Sequence, residues 1–188
     1  MIDIAGAVLA GGQNKRMGGR NKAFLEIEGV PLIQSTLNIF KELFEEIIIV
    51  TNNPEDYTPY EKDCRIVGDI LKGFGPLSGI HAALSATSRE AVFFVACDMP
   101  FLHNEFIKQQ ILCFNKEGGD ALVPRIGESI EPLHAICKKK LTDEISFFLK
   151  TSGNYSIREF LKTVSTTYMD LENGFFNKSM FKNLNTPE

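Results

Sequence analysis

Between Leu9 and Lys22 the chain reads LAGGQNKRMGGRNK, with four glycines, two lysines and two arginines directly behind the apolar run 4–8. Glycine lets a backbone come close to an oxyanion and aim several N–H groups at it, while the cations neutralise its charge. A buried strand that opens into such a segment is a phosphate-binding device. Its spacing removes two familiar forms. A Walker-type loop needs glycine, four residues, then Gly-Lys-Ser/Thr; here Met17 stands five residues after Gly12, and neither Gly18 nor Gly19 precedes a lysine. A dinucleotide fingerprint needs G-x-G-x-x-G. Gly11-Gly12 and Gly18-Gly19 do not fit it, and Gly73-Phe74-Gly75 begins it but meets Ser78 at the third glycine position. What remains is a longer, cation-laden loop. Gly11 and Gly12 turn the chain, Lys15 and Arg16 sit on the loop, and Lys22 closes it, giving enough length to wrap a triphosphate. An idle surface turn seldom needs two glycine pairs and four cations.

Two further groups could do chemistry beside it. Asp98, in Cys97-Asp98-Met99-Pro100, follows the apolar run 91–96 and is expected in the same crevice as the glycine loop. A carboxylate next to a phosphate site suits Mg²⁺, which usually takes one or two carboxylates plus phosphate oxygens. The alternative, a helix cap, is disfavoured because Pro100 and Phe101 intervene before any helical pattern. The stretch GFGPLSG, from Gly73 to Gly79, is either a stiff loop able to approach a base or ribose, or an ordinary connection with Ser78 as helix N-cap. Asp69, after a short strand, is the other polar residue expected at a strand end. His81, His103 and His134 have no triad or metal spacing and are read as structural.

These groups need a frame. Apolar runs at 4–10, 46–51, 65–67 and 91–96 predict strands, with a short extended piece at 23–27. Helical spacing predicts helices at 31–44, 77–88 and 104–115. The second half is less regular: strands are expected at 121–124, 133–137 and 166–171, and helices at 138–149 and 156–163. Continuously apolar strands alternating with helices imply a mainly parallel sheet covered on both faces. Ligands of such sheets lie beyond the carboxyl ends of the strands, near the switch point.

Composition sets the outer bounds. At 188 residues one domain is expected, with residues 1–100 as a nucleotide-binding half and 101–188 as an acceptor half. A formal charge of −4 argues against a broad nucleic-acid footprint, which needs a basic face. The sequence has no apolar run of membrane-spanning length and no obvious signal peptide. Cys64, Cys97, Cys113 and Cys137 form no CxxC pair and read as buried reduced thiols. A cytoplasmic protein is expected.

The motifs LAGG-x3-RMGG-x2-K, GPLSG, CDMP and the terminal NTPE occur in that order from Leu9 to Glu188. In this combination the chain resembles the molybdenum cofactor guanylyltransferases, which join GMP from GTP to molybdopterin. The resemblance implies a Rossmann-like three-layer nucleotidyltransferase fold of the α/β class, with a mainly parallel mixed sheet flanked by helices. It implies that Leu9, Ala10, Gly11 and the loop from Gly75 to Gly79 hold guanine and ribose, with Asp69 also on the nucleoside. Gly12, Arg16 and Lys22 would hold the triphosphate and Asp98 the Mg²⁺, making Arg16, Lys22 and Asp98 the catalytic set. Asn183 and Asn185 would face the pterin, with Arg125 and Pro132-Leu133. GTP and molybdopterin are the implied small-molecule partners, and proteins that deliver the pterin or accept the product are the implied protein partners. Two departures stand out. The family usually has aspartate before the loop lysine, where this chain has Asn21, and relatives often continue beyond NTPE into a last helix. A cytidylyl or sugar-phosphate nucleotidyltransferase is the nearest alternative, and a non-catalytic nucleotide-binding regulator is the alternative of another class.

Overall fold

The computed structural model describes residues 2–11, 21–171 and 181. Its central feature is a mixed eight-stranded sheet. The first strand, β1 (Ile4–Leu9), is followed by a small antiparallel pair, β2 (Glu26–Ile27) and β3 (Val30–Pro31). Helix α1 (Leu32–Leu43) then leads to β4 (Ile47–Val50) and β5 (Arg65–Val67). Helix α2 (Pro76–Ala86) returns the chain to β6 (Ala91–Ala96), and α3 (Asn104–Glu117) leads to β7 (Ala121–Ile126). After β8 (Ser129–Ile130) and β9 (His134–Lys138) come α4 (Leu141–Thr151), α5 (Ile157–Leu161) and β10 (Thr166–Asp170).

The strands lie in the order β10-β7-β9-β6-β1-β4-β5, with β8 paired to β7 alone. Strands β6, β1, β4 and β5 run parallel, with register from Ile4↔Ala91 to Leu9↔Ala96 across β1 and β6. Strand β9 is antiparallel to both β6 and β7. The progression from β1 runs outward to β4 and β5, then resumes on the opposite side at β6. The strand order therefore reverses between β1 and β6, and their carboxyl ends flank the switch point.

Alternation along each strand assigns the two faces. Ala5, Ala7, Ile48, Val50, Val92 and Phe94 face α2, α4 and α5. Ile4, Val8, Ile47, Ile49, Phe93 and Val95 face α1 and α3. Three layers follow, as the sequence predicts. Gly6 shows how close the second face is, since a Cβ there would stand 2.5 Å from Phe44 Cδ2 and 2.7 Å from Phe40 Cδ2.

Some expectations are revised. The 23–27 segment is not one extended piece, because Lys22–Phe24 forms a 3₁₀ turn whose N-cap is Asn21. A second 3₁₀ segment, Pro54–Tyr60, follows β4 and carries no sequence periodicity. Between the strands expected at 121–124 and 133–137 the structure adds β8, held by Arg125↔Ile130 and Ile126↔Ser129. Ser78 is not the cap of α2; that position belongs to Gly75, with Pro76 beginning the helix.

Candidate functional site

The hydrogen-bond ladder continues past the end of β1 on both sides. Ala10 N–H donates to Val50 O at 2.8 Å, and Cys97 N–H donates to Leu9 O at 3.1 Å. Gly11 therefore emerges at the carboxyl edge of the sheet. A Cβ on Gly11 would lie 3.7 Å from Asn52 Nδ2 and 4.0 Å from Asp69 Oδ2. Those are ordinary contacts, so the protein's own packing does not demand glycine there.

Asp69 and Asn52 form a fixed pair. Asn52 Nδ2 donates to Asp69 Oδ2 at 2.8 Å, and Asp69 N–H donates to Asn52 Oδ1 at 3.1 Å. The sequence reading missed Asn52 because Asn52-Asn53-Pro54 reads simply as a strand terminator. Its position directly behind a buried strand, at the same edge as Gly11, was the available signal.

Gly75 has φ 68° and ψ −152°, a conformation for which side chains are poorly suited, and nothing stands within 4 Å of where its Cβ would be. Backbone geometry, rather than clearance, requires this glycine. It aims the first turn of α2 at the sheet edge. A Cβ on Gly79 would meet Leu9 Cδ2 at 3.2 Å and Asp69 Oδ1 at 3.9 Å. Leu9, Gly11, Asn52, Asp69 and Gly79 thus surround one corner, next to the N–H groups of a helix N-terminus. Ser78 Oγ, buried in that first turn, has no hydrogen-bond partner among the described residues.

The other corner lies at the switch point. Lys22 Nζ and Asp98 Oδ2 are 3.6 Å apart, with side-chain exposures of 25% and 16%. Asp98 sits six residues before Asn104, the first residue of α3, and His103 occupies the cap, so capping does not explain it. Burial and the neighbouring Asp98 carboxylate push the Cys97 thiol up to about 12. Cys97 is therefore a protonated thiol at neutral pH, not a nucleophile. The donor chemistry at Asp98 suits a hard divalent ion, since it offers carboxylate oxygen. Among the described residues no group of three His, Cys, Asp or Glu could chelate a metal alone. An ion held here would complete its shell from phosphate oxygens and water, as Mg²⁺ does.

Comparison with known proteins fits this geometry. The model of the MobA-like NTP transferase domain matches residues 6–167. The chain belongs to that family. A probable molybdenum cofactor guanylyltransferase of Peptoclostridium acidaminophilum is 39% identical over 96% of this chain and 84% of its own length. The molybdenum cofactor guanylyltransferase of Syntrophotalea carbinolica is 35% identical, over 96% and 86% respectively. Among solved structures, the molybdopterin-guanine dinucleotide biosynthesis protein A of Archaeoglobus fulgidus superposes with a TM-score of 0.81 and 28% identity, covering 97% of this chain and 93% of that one. As a MobA-like NTP transferase the chain is a nucleotidyltransferase, and its sheet is the mixed, mostly parallel one expected.

Gly12, Arg16, Asn183 and Asn185 lie outside the described residues. Arg125 stands near the carboxyl end of β7, and the ladders through β9 align Leu122 with Phe93, which puts Arg125 level with Ala96. It is two strands from β6, about 10 Å by ordinary sheet spacing. Its guanidinium is engaged: Nε and Nη2 donate to Asp170 at 2.6 and 2.8 Å, and the group lies 5.0 Å from the centre of the Tyr168 ring. Pro132-Leu133 forms the turn into β9, closed by His134 N–H donating to Glu131 O at 3.1 Å.

Asn21, the departure from the family pattern, does not leave Lys22 without a counter-charge, because Asp98 supplies one. Asn21 Nδ2 instead donates to Asp56 Oδ2 at 3.2 Å and to Tyr57 OH at 3.1 Å. Among the described residues no helix is long and apolar enough to cross a membrane.

Proposed function

We propose that this MobA-like transferase is a molybdenum cofactor guanylyltransferase, transferring GMP from Mg-GTP to molybdopterin with release of pyrophosphate. The observation that carries the reading is the placing of two polar pairs on one sheet edge. Lys22 and Asp98 stand at the strand-order reversal, and Asn52 and Asp69 stand beyond the ends of β4 and β5 on the same edge. The names borne by near-full-length relatives support the choice of guanine and pterin.

The terminal phosphate of molybdopterin is already an anion, so no general base is needed. One of its oxygens forms a bond to the α-phosphorus of GTP as the bond to the bridging oxygen of pyrophosphate breaks, and the electron pair leaves with pyrophosphate. The protein's contribution is alignment and charge neutralisation. Lys22, with Arg16, takes the negative charge that accumulates on the departing pyrophosphate. Asn52 occupies Asp69 Oδ2, which leaves Oδ1 to accept from a nucleoside N–H or O–H donor. Leu9, Ala10, Gly11, Gly12, Gly75 and Gly79 give the nucleotide its backbone and apolar bed. Asp98 would hold Mg²⁺, which when bound neutralises phosphate charge. We assign residues 1–100 to the nucleotide and 101–188 to the pterin within one domain, with Asn183 and Asn185 on the pterin side. The protein would work in the cytoplasm, where proteins of cofactor biosynthesis deliver the pterin or accept the product.

Calorimetric titration with GTP, CTP, ATP and UTP in Mg²⁺, followed by pyrophosphate release on addition of molybdopterin, tests the reading. GTP is expected to bind and turn over. Tight CTP binding without GTP binding would point to a cytidylyl enzyme, and binding without pyrophosphate release to a regulator.

A further inference from the structure

Asn21, Asp56 and Tyr57 form a polar cluster for which the reaction has so far given no use. Asn21 Oδ1 accepts from Ala23 N–H at 3.2 Å and so caps the 3₁₀ turn that begins with Lys22. Its amide nitrogen donates to Asp56 Oδ2 and to Tyr57 OH, contacts that join residues 35 and 36 positions apart. Tyr57 is fully buried, and its ring lies 5.2 Å from that of Phe24. Burial raises the phenol above its usual range, against the opposing Asn21 hydrogen bond, so the hydroxyl stays protonated at neutral pH and can both accept from Asn21 Nδ2 and donate to Asn21 Oδ1 at 3.4 Å. The residue before Lys22 and the residue two after it are both fastened to the segment Pro54–Tyr60. Lys22 lies between these anchors, 3.6 Å from Asp98.

We propose that Asn21, Asp56 and Tyr57 are positioning residues that set Lys22 at the triphosphate. This rests on the reading of Lys22 as a phosphate ligand. A lysine ammonium is a compact charge on a flexible four-carbon stem. Its placement depends on the backbone that carries it, and the clamp fixes that backbone on both sides. Because Asp56 faces it in this chain, the cluster specifies the amide in place of the aspartate of the family pattern. A carboxylate at position 21 could accept from Ala23 N–H and Tyr57 OH, but it could not donate to Asp56. Two carboxylates sharing that contact repel.

The test compares wild type, N21D and N21D/D56N by kcat and KM for pyrophosphate release, with Tm as a control on folding. N21D is expected to lower kcat between about tenfold and about 100-fold, the scale of a misplaced reacting group. The double variant, whose second substitution restores a donor opposite the carboxylate, should recover most of that loss. Wild-type kcat in N21D, or no recovery in the double variant at unchanged Tm, overturns the proposal. Wild-type turnover with GTP tests the proposed function separately. Should GTP not turn over, the same three proteins are compared by their affinity for inorganic tripolyphosphate. Loss in N21D with recovery in the double variant then upholds the clamp, while equal affinities, or no binding by wild type, overturn it.

Discussion

His134 makes stability depend on pH in a way that can be worked out beforehand. Its ring is 1% exposed and lies 5.0 to 5.3 Å from the rings of Phe93, Phe106 and Phe181. Its Nδ1 has no hydrogen-bond partner among the described residues. Desolvation, opposed only in part by a backbone hydrogen bond, lowers its pKa from 6.5 to about 3. The folded state therefore keeps the imidazole neutral while the unfolded chain takes up a proton below about 6.5, so stability falls as pH drops from there toward 3. Between pH 7 and pH 5 the unfolded state gains about 2 kcal/mol from this one site, at about 1.4 kcal/mol per pH unit. His134→Leu keeps the apolar packing and removes the titration. Urea unfolding of both proteins at pH 7 and pH 5 isolates the term, because every other group titrates in both. The wild-type midpoint should fall by about 0.7–1 M urea more than that of the variant, for a slope of about 2–3 kcal/mol/M. Equal shifts in the two proteins would refute the claim that this imidazole is buried neutral.

The remaining expectations concern the site and the sheet. Asp98→Ala should cut kcat by about 100-fold or more while Tm holds, and near-normal turnover with Mg-GTP would remove Asp98 from the metal role. Lys22→Ala should lower kcat/KM by a similar factor, and an unchanged value would take Lys22 out of the phosphate site. Asn52→Ala releases Asp69 and should raise the KM for nucleotide by about five- to tenfold, the worth of one hydrogen bond, with a smaller effect on kcat. Gly6→Ala forces a methyl group to 2.5 Å from Phe44 Cδ2 and should cost about 1–3 kcal/mol in urea unfolding.

The framework was legible where one signal dominated. The run 91–96 needed nothing beyond burial on both faces to read as a strand, and the helix expected at 31–44 followed from its apolar spacing, the structure setting its bounds at Leu32–Leu43 with Pro31 as cap. The positions of Asp98 and Asp69 at the carboxyl edge were legible because polar residues behind buried strands fall there in a parallel sheet. Asn52 was missed because its side chain looks like any turn former until β5 is laid beside β4. The turn at Lys22 was missed for a related reason. Its cap is local, but its anchor is Tyr57, brought near only by packing, and nothing in residues 21–27 announces that contact. The short pairing of β8 with β7 likewise depends on a strand already in place.

The antiparallel strand β9 has a mechanical consequence. It is hydrogen-bonded along one side to β6, from Ala91↔Lys138 to Val95↔His134, and along the other to β7. Strand β6, which ends two residues before Asp98, and β7, which bears Arg125, are thus laced into one ladder, with no hinge between them. Clamshell closure, in which two lobes swing together over a substrate, would require breaking that ladder. In the proposed reaction, nucleotide and acceptor would therefore approach a sheet edge that does not fold over them.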